Sequence, residues 1–146
     1  MPIAIIADTH DNLPSSARAA LIEAEEIWHL GDVSRGELLR EIQGLGPPVQ
    51  AIQGNCDPRG LAPETLTLQR GSHLFYLVHE PPTEAPLGVT FVLHGHTHVP
   101  RDETIRGVRY LNPGTVGKPN HGAPPSLAWL TIKEGQAPIW EIVRLS

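Results

Sequence analysis

The sequence predicts an α/β fold in one domain, two packed sheets flanked by helices, and three observations carry that reading. Its first half alternates short apolar strands with helical segments, and each strand runs directly into a polar cluster. Its second half is almost entirely strand-like, and no linker, repeat or low-complexity run separates the two within 146 residues. Both halves must therefore bury their apolar faces against one another.

Ile3-Ala4-Ile5-Ile6-Ala7 is an apolar run of the kind buried on both faces, and it ends in Asp8-Thr9-His10. Ser15 or Ser16 caps an alanine-rich helical segment extending to about residue 25, with Leu21 and Ile22 offered to the core. Ile27-Trp28-His29-Leu30 is a second strand leading to Gly31-Asp32, and Ser34-Arg35-Gly36-Glu37 matches a capping box ahead of Leu38, Leu39 and Ile42. Gly44 and Gly46 end that helix, Pro47-Pro48 bars its continuation, and Val49 to Ile52 forms a third strand reaching Gly54-Asn55-Cys56-Asp57. Leu66-Thr67-Leu68 and Leu74 to Val78 then flank Arg70-Gly71-Ser72 as a hairpin that delivers His79. Val89 to Leu93 delivers His94-Gly95-His96-Thr97-His98. Val108 to Leu111 leads into Asn112-Pro113-Gly114-Thr115, and two strands, 127–132 and 139–143, complete the pattern.

Composition narrows the function. The formal charge of -5 argues against a broad nucleic-acid surface, which needs clustered Lys and Arg. No apolar run approaches the roughly 20 residues of a spanning helix, and the early Asp8 ends any leader-like run, so no membrane partner and a cytoplasmic location are expected. The single cysteine, Cys56, excludes an intramolecular disulfide framework. Fourteen glycines and fifteen prolines are enough for a site built on firm, tightly turned loops.

Five successive strands thus end in Asp8/His10, Asp32, Asn55, His79 and His96/His98, and open α/β sheets bind ligands beyond the carboxyl ends of their strands. Singly, a D-x-H or a G-D pair is an ordinary strand end; all five in order point to one site. Asp8 with His10, and His96 with His98, stand at i and i+2, which an extended chain places on one side, so each pair is expected to grip one ion. His94 shares that face, and spacing alone does not choose among the three. Carboxylate, imidazole and one amide oxygen suit Mn²⁺, Fe²⁺, Zn²⁺ or Ni²⁺ better than Mg²⁺.

D-T-H at Asp8, G-D at Asp32, G-N at Asn55, a strand-end His79 and G-H-T-H at His96 together resemble the calcineurin-like metallophosphoesterases over nearly the whole chain. The small size, G-N-C-D and N-P-G-T at Asn112 resemble the compact YfcE-type phosphodiesterase branch. The resemblance implies a four-layer α-β-β-α sandwich of two mixed sheets. It implies one metal held by Asp8, His10, Asp32 and His98 and a second held by Asp32, Asn55, His79 and His96, with Asp32 as the bridge. Mn²⁺ heads the expected ions.

Two divalent ions, two carboxylates and a bridging hydroxide leave about one net positive charge in an idealised site, enough to attract a small phosphoester to an acidic protein. The expected reaction is in-line attack by that hydroxide, with Asp32 and Asn55 positioning it and the phosphate. Cys56 stands where many members of the superfamily carry a histidine that helps protonate the leaving group; it is read as a buried structural cysteine, so leaving-group protonation is expected to be weak. Glu80-Pro81-Pro82 after His79 departs from the expected glycine and also excludes H-E-x-x-H; Lys118-Pro119 excludes a P-loop.

His29 and His94 are read as packed behind the ligands, and Asn112 as a turn that shapes the site. Asn12 forms an Asx turn or contacts phosphate; His121, in a Gly/Pro-rich loop, is a surface residue or approaches substrate. Arg59 and Arg101 are further candidates for substrate contact. The rivals are a catalytically silent protein-binding scaffold, as the resembling retromer subunit is, and a nucleotide or protein phosphatase. A homo-oligomer stays open.

Overall fold

The computed structural model describes residues 2–117 and 124–145, so His121 and the Lys118-Pro119 pair lie outside the described residues. Twelve elements follow one another: β1 (Ile3–Ile6), α1 (Ser15–Ile22), β2 (Glu26–His29), α2 (Gly36–Gln43), β3 (Val49–Ala51), β4 (Thr65–Arg70), β5 (His73–Val78), β6 (Phe91–Leu93), β7 (Arg101–Ile105), β8 (Val108–Asn112), β9 (Ser126–Thr131) and β10 (Ile139–Arg144). Among the described residues, no helix is long and apolar enough to cross a membrane.

The strands form two mixed five-stranded sheets, ordered β10-β9-β1-β2-β3 and β4-β5-β6-β8-β7. In the first, β1, β2 and β3 run parallel, with Ile5 opposite Trp28 and Trp28 opposite Gln50. In the second, β5, β6 and β8 run parallel between two antiparallel edges. The period of two explains why β1 is apolar throughout: Ile3 and Ile5 face the second sheet, while Ala4 and Ile6 face the helices. Between the sheets, Ile5, Trp28 and Leu30 pack against Phe75, Leu77 and Leu93. On the other face of the first sheet, Ala17 and Leu21 of α1 and Leu38, Leu39 and Ile42 of α2 cover Ala4, Ile6 and Ile27.

The α/β class and the two packed mixed sheets are as expected, but the outermost layer differs. Over the second sheet, Val92 and Tyr110 are covered by Val89 and Ala85 from the segment following His79, and that segment contains no helix. Pro81, Pro82 and Pro86 interrupt every helical register there. Neither expected cap forms: Pro14 and Arg35 occupy the N-cap positions without a side-chain capping bond, and α1 stops at Ile22. Ser34 sits at φ 83 and gives its N–H to Asp57 Oδ1 at 2.8 Å, so the strand-end loop claims the residue that would close a capping box. Edge strand β7 also lay outside the sequence reading.

Candidate metal centre

The carboxyl ends of β1, β2, β3, β5 and β6 converge, and backbone bonds fasten their tips together. Asp8 N–H donates to Gly31 O at 3.0 Å, His10 N–H to Asp32 O at 3.0 Å, and Gly95 N–H to His79 O at 3.0 Å. The pleat does not aim the i, i+2 pairs, because β1 and β6 have already ended. Asp8, His10, Asp32, His96 and His98 instead lie in the left-handed region, at φ 55, 44, 62, 71 and 66. That conformation costs a non-glycine residue on the order of 1 kcal/mol or more and persists where surrounding contacts over-determine it.

This backbone splits the second pair. His98 Nε2 lies 3.6 Å from Asp8 Oδ1 and 3.2 Å from His10 Nε2. His96 turns the other way, its Nδ1 3.3 Å from Asn55 Oδ1 and its ring 5.1 Å from that of His79. The two histidines of the pair therefore face different neighbours, His98 the Asp8–His10 side and His96 the Asn55–His79 side. Asp32 Oδ2 reaches toward both groups, 3.6 Å from His10 Nε2 and 3.2 Å from His79 Nε2, the latter out of line for a hydrogen bond. The ligand atoms of Asp8, His10 and His98, and those of Asp8, Asp32 and His79, each lie within 4.8 Å of one another.

The electrostatics are those of a cradle for a cation. Asp8 is fully buried, its Oδ2 accepts the His96 N–H at 3.1 Å, and its Oδ1 accepts nothing. Burial pushes its pKa up to about 7, helped by the neighbouring Asp32 and opposed by His79. Asp32 is held well below the carboxylate range: burial works against its charge, but the contact with His79 and the Cys56 N–H, 2.8 Å from Oδ1, outweigh it. His79 donates Nδ1–H to Leu30 O at 2.8 Å, which leaves the Nε2 lone pair turned toward Asp8 and Asp32; burial lowers its pKa, but Asp32 and that carbonyl raise it overall. Lone pairs facing lone pairs, with a buried oxygen lacking a donor, fit a borderline divalent cation bound by oxygen and nitrogen.

Several residues hold this arrangement without facing its centre. His29 is fully buried; its Nδ1 accepts Gly31 N–H at 3.0 Å, so Nε2 carries the proton, 3.1 Å from Thr9 Oγ1. Burial drives its pKa down to about 4 and keeps it neutral. His94 is likewise buried with a pKa of about 4, its Nδ1 on Gly95 O at 3.0 Å and its Nε2 receiving Arg101 at 3.1 Å. Arg101 is thus occupied with His94, Glu103 and the face of Tyr110. Asn112 donates to Thr97 Oγ1 at 2.9 Å and Gly95 O at 3.3 Å, pinning the loop that carries His96 and His98. Asn12 is exposed, its N–H closing a turn onto Thr9 O at 2.9 Å.

Sequence reasoning missed Asp57. Its carboxylate accepts the N–H groups of Asp32 at 3.0 Å, Gly54 at 2.7 Å and Ser34 at 2.8 Å, clamping the β2 and β3 tips together. The signal was the Asp closing G-N-C-D, a residue type that binds nearby backbone N–H groups. Gly54 completes the clamp, since a Cβ there would run into the backbone N of Asp32. Asp57→Ala leaves three backbone donors without an acceptor and should lower kcat/KM by about 10- to 100-fold while the chain still folds; wild-type kinetics in that variant would refute the clamp. Cys56 is corrected as well: it is exposed at the mouth of the site, not buried, because Gly54 rather than its side chain fills the close approach to Asp32. A cleft of about 410 Å³ opens beside Asn55 and His79, walled by Gln53, Arg59, Glu64 and Glu80.

Comparison with known proteins supplies a family and a fold. Residues 1–135 match the family model described as the calcineurin-like phosphoesterase superfamily domain. A probable metallophosphoesterase of Methanothermobacter thermautotrophicus is 30% identical over 168 residues, covering 99% of this chain and 92% of its own. Among solved structures, the Escherichia coli phosphoesterase Yfce superimposes with a TM-score of 0.78 at 22% identity over all of both chains. An archaeal phosphodiesterase superimposes with 0.81 at 22% identity, over 99% of this chain and 100% of that one. The fold is also that of Vps29, as in the zinc complex from Entamoeba histolytica, with a TM-score of 0.77 at 20% identity over 99% of each chain. With the five motifs gathered where strands of the two sheets end, and the family match spanning residues 1–135, the chain belongs to the calcineurin-like phosphoesterase superfamily.

Proposed function

We propose that this protein is a dinuclear metal-dependent phosphodiesterase. Asp8, His10, Asp32 and His98 would hold one divalent ion, and Asp32, Asn55, His79 and His96 the other, with Mn²⁺ the first candidate and Fe²⁺, Zn²⁺ and Ni²⁺ the alternatives. The observation that carries the reading is Asp8 Oδ1, buried without a donor while the Nε2 atoms of His10, His79 and His98 stand 3.6 to 3.9 Å from it. Such ions, when bound, neutralise phosphoryl charge and lower the pKa of water.

The chain's own residues set the geometry. Leu30 O fixes the His79 tautomer, Cys56 N–H orients Asp32, and Asn112 and Asp57 hold the loops that present the ligands. Asn55 and His96, both exposed, face the open side where a phosphoester would enter. Reconstitution of stripped protein with Mn²⁺, Ni²⁺ and Zn²⁺, reading bound metal and hydrolysis of bis(p-nitrophenyl) phosphate, tests the proposal. Stoichiometric uptake with turnover is expected. No uptake and no rate above buffer would favour the protein-binding scaffold suggested by the Vps29 fold.

No imidazole or carboxyl stands at position 56 to protonate a departing alkoxide, and partial desolvation followed by the Asp32 carboxylate pushes the Cys56 thiol up. Diesters with acidic leaving groups should therefore react faster, by about 100-fold or more for nitrophenolate over simple alkoxide. Equal rates on nitrophenyl and alkyl diesters would count against this assignment.

A further inference from the structure

Cys56 is the one nucleophilic sulfur in the sequence, and it is exposed. Its Sγ, a nitrogen of His10 and a carboxylate oxygen of Asp32 all lie within 4.8 Å of one another. The sulfur's place is set by the backbone, because the Cys56 N–H donates to Asp32 Oδ1 at 2.8 Å, and the Asn55 amide lies 3.7 Å from Sγ. A second feature points into the same vestibule. His10 Nε2 is 3.9 Å from Asp8 Oδ1, and Asp8 is fully buried with that oxygen unpartnered. The thiol therefore stands on the open side of a pocket whose floor calls for a cation.

We propose that Cys56 is a conditional metal ligand: with a thiophilic ion such as Zn²⁺, Co²⁺ or Cd²⁺ in the site, its sulfur joins His10 and Asp32 in the coordination sphere. The inference rests on the metal-centre reading above. The step is a ligand exchange in which the S–H bond breaks, the proton passes to solvent and a sulfur–metal bond forms, with no change of oxidation state. Thiolate is a soft ligand, so hard Mn²⁺ would leave the thiol free while Zn²⁺ and Cd²⁺ would engage it. One residue then sorts ions by softness at a site otherwise made of oxygen and nitrogen.

Co²⁺ titration of the full chain, wild type beside Cys56→Ser, separates the possibilities. Visible d–d bands and equilibrium dialysis report whether cobalt binds at all; a near-ultraviolet sulfur-to-cobalt charge-transfer band reports the thiolate. The proposal expects that band in wild type and its loss in Cys56→Ser, with cobalt still bound by both. It also expects iodoacetamide to alkylate wild-type Cys56 about tenfold or more slowly with Zn²⁺ than with Mn²⁺. Cobalt bound without the band, and alkylation equal under both ions, would overturn the proposal and leave the metal centre standing. No cobalt bound by wild type would overturn both.

Discussion

Stripped of metal, the Asp8→Asn variant is expected to outlast the wild type in denaturant as pH rises, with the gap growing by about 4 kcal/mol from below pH 4 to above pH 7. The sign follows from the direction of the shift. Asp8 has a folded pKa of about 7 against an ordinary 3.8, so its contribution is complete below 3.8 and is lost as pH climbs to 7. Asparagine has the same shape and no proton to lose. His29 and His94 are not shifted by Asp8 and drop out of the difference, whereas His79, which Asp8 raises, adds its own part to the gap. Denaturant melts of chelator-treated proteins at several pH values from below 4 to 8 measure it directly; a gap that does not move with pH would refute it. Saturating metal should reverse the order, since the wild type alone gains the binding energy. The buried carboxylate thus destabilises the empty protein at neutral pH in order to serve the loaded one.

The second large effect is kinetic. Asp32→Asn should lower kcat/KM on bis(p-nitrophenyl) phosphate by at least about 10³-fold, with bound metal falling in parallel. The variant should fold, because its amide oxygen still accepts the Cys56 N–H and Asp57 still holds the Asp32 backbone. Its NH₂ group, however, would face His79 Nε2, now 3.2 Å from a carboxylate oxygen, and occupy the lone pair offered to a cation. One substitution removes a charge that stands beside both His10 and His79 and caps one imidazole. Activity within tenfold of wild type, at full metal content, would show that Asp32 is not the shared ligand.

The parts of this molecule legible from sequence are those governed by local pattern. Apolar runs ending in Asp8, Asp32, Asn55, His79 and His96 announce buried parallel strands and the edge where they end, because strands covered on both faces need unbroken hydrophobicity. Strand β7 was illegible for the opposite reason. Arg101 to Ile105 is polar and mostly exposed on an outer edge, so no alternation marks it, and only the Arg106-Gly107 turn, at φ 50 and 80, betrays the hairpin. The Ser34 capping box misled because a side chain 23 residues onward, Asp57, competes for the same backbone. Cys56 misled because residue type predicts burial only on average, and its neighbour Gly54 takes the tight place. The division of His96 from His98 depends on torsions that spacing does not encode.

Those torsions separate the chemistry of the site from its architecture. At Asp8, His10, Asp32, His96 and His98 the chain adopts a conformation that asparagine tolerates about as well as the resident side chains do. At the buried three, Asp8, Asp32 and His98, exchange for a neutral amide is therefore expected to leave the strands, the clamp and the outer surface as they are. A silent descendant that keeps every external feature lies one substitution from an active ancestor. In such a lineage, loss of turnover would leave the whole surface available for selection as a platform.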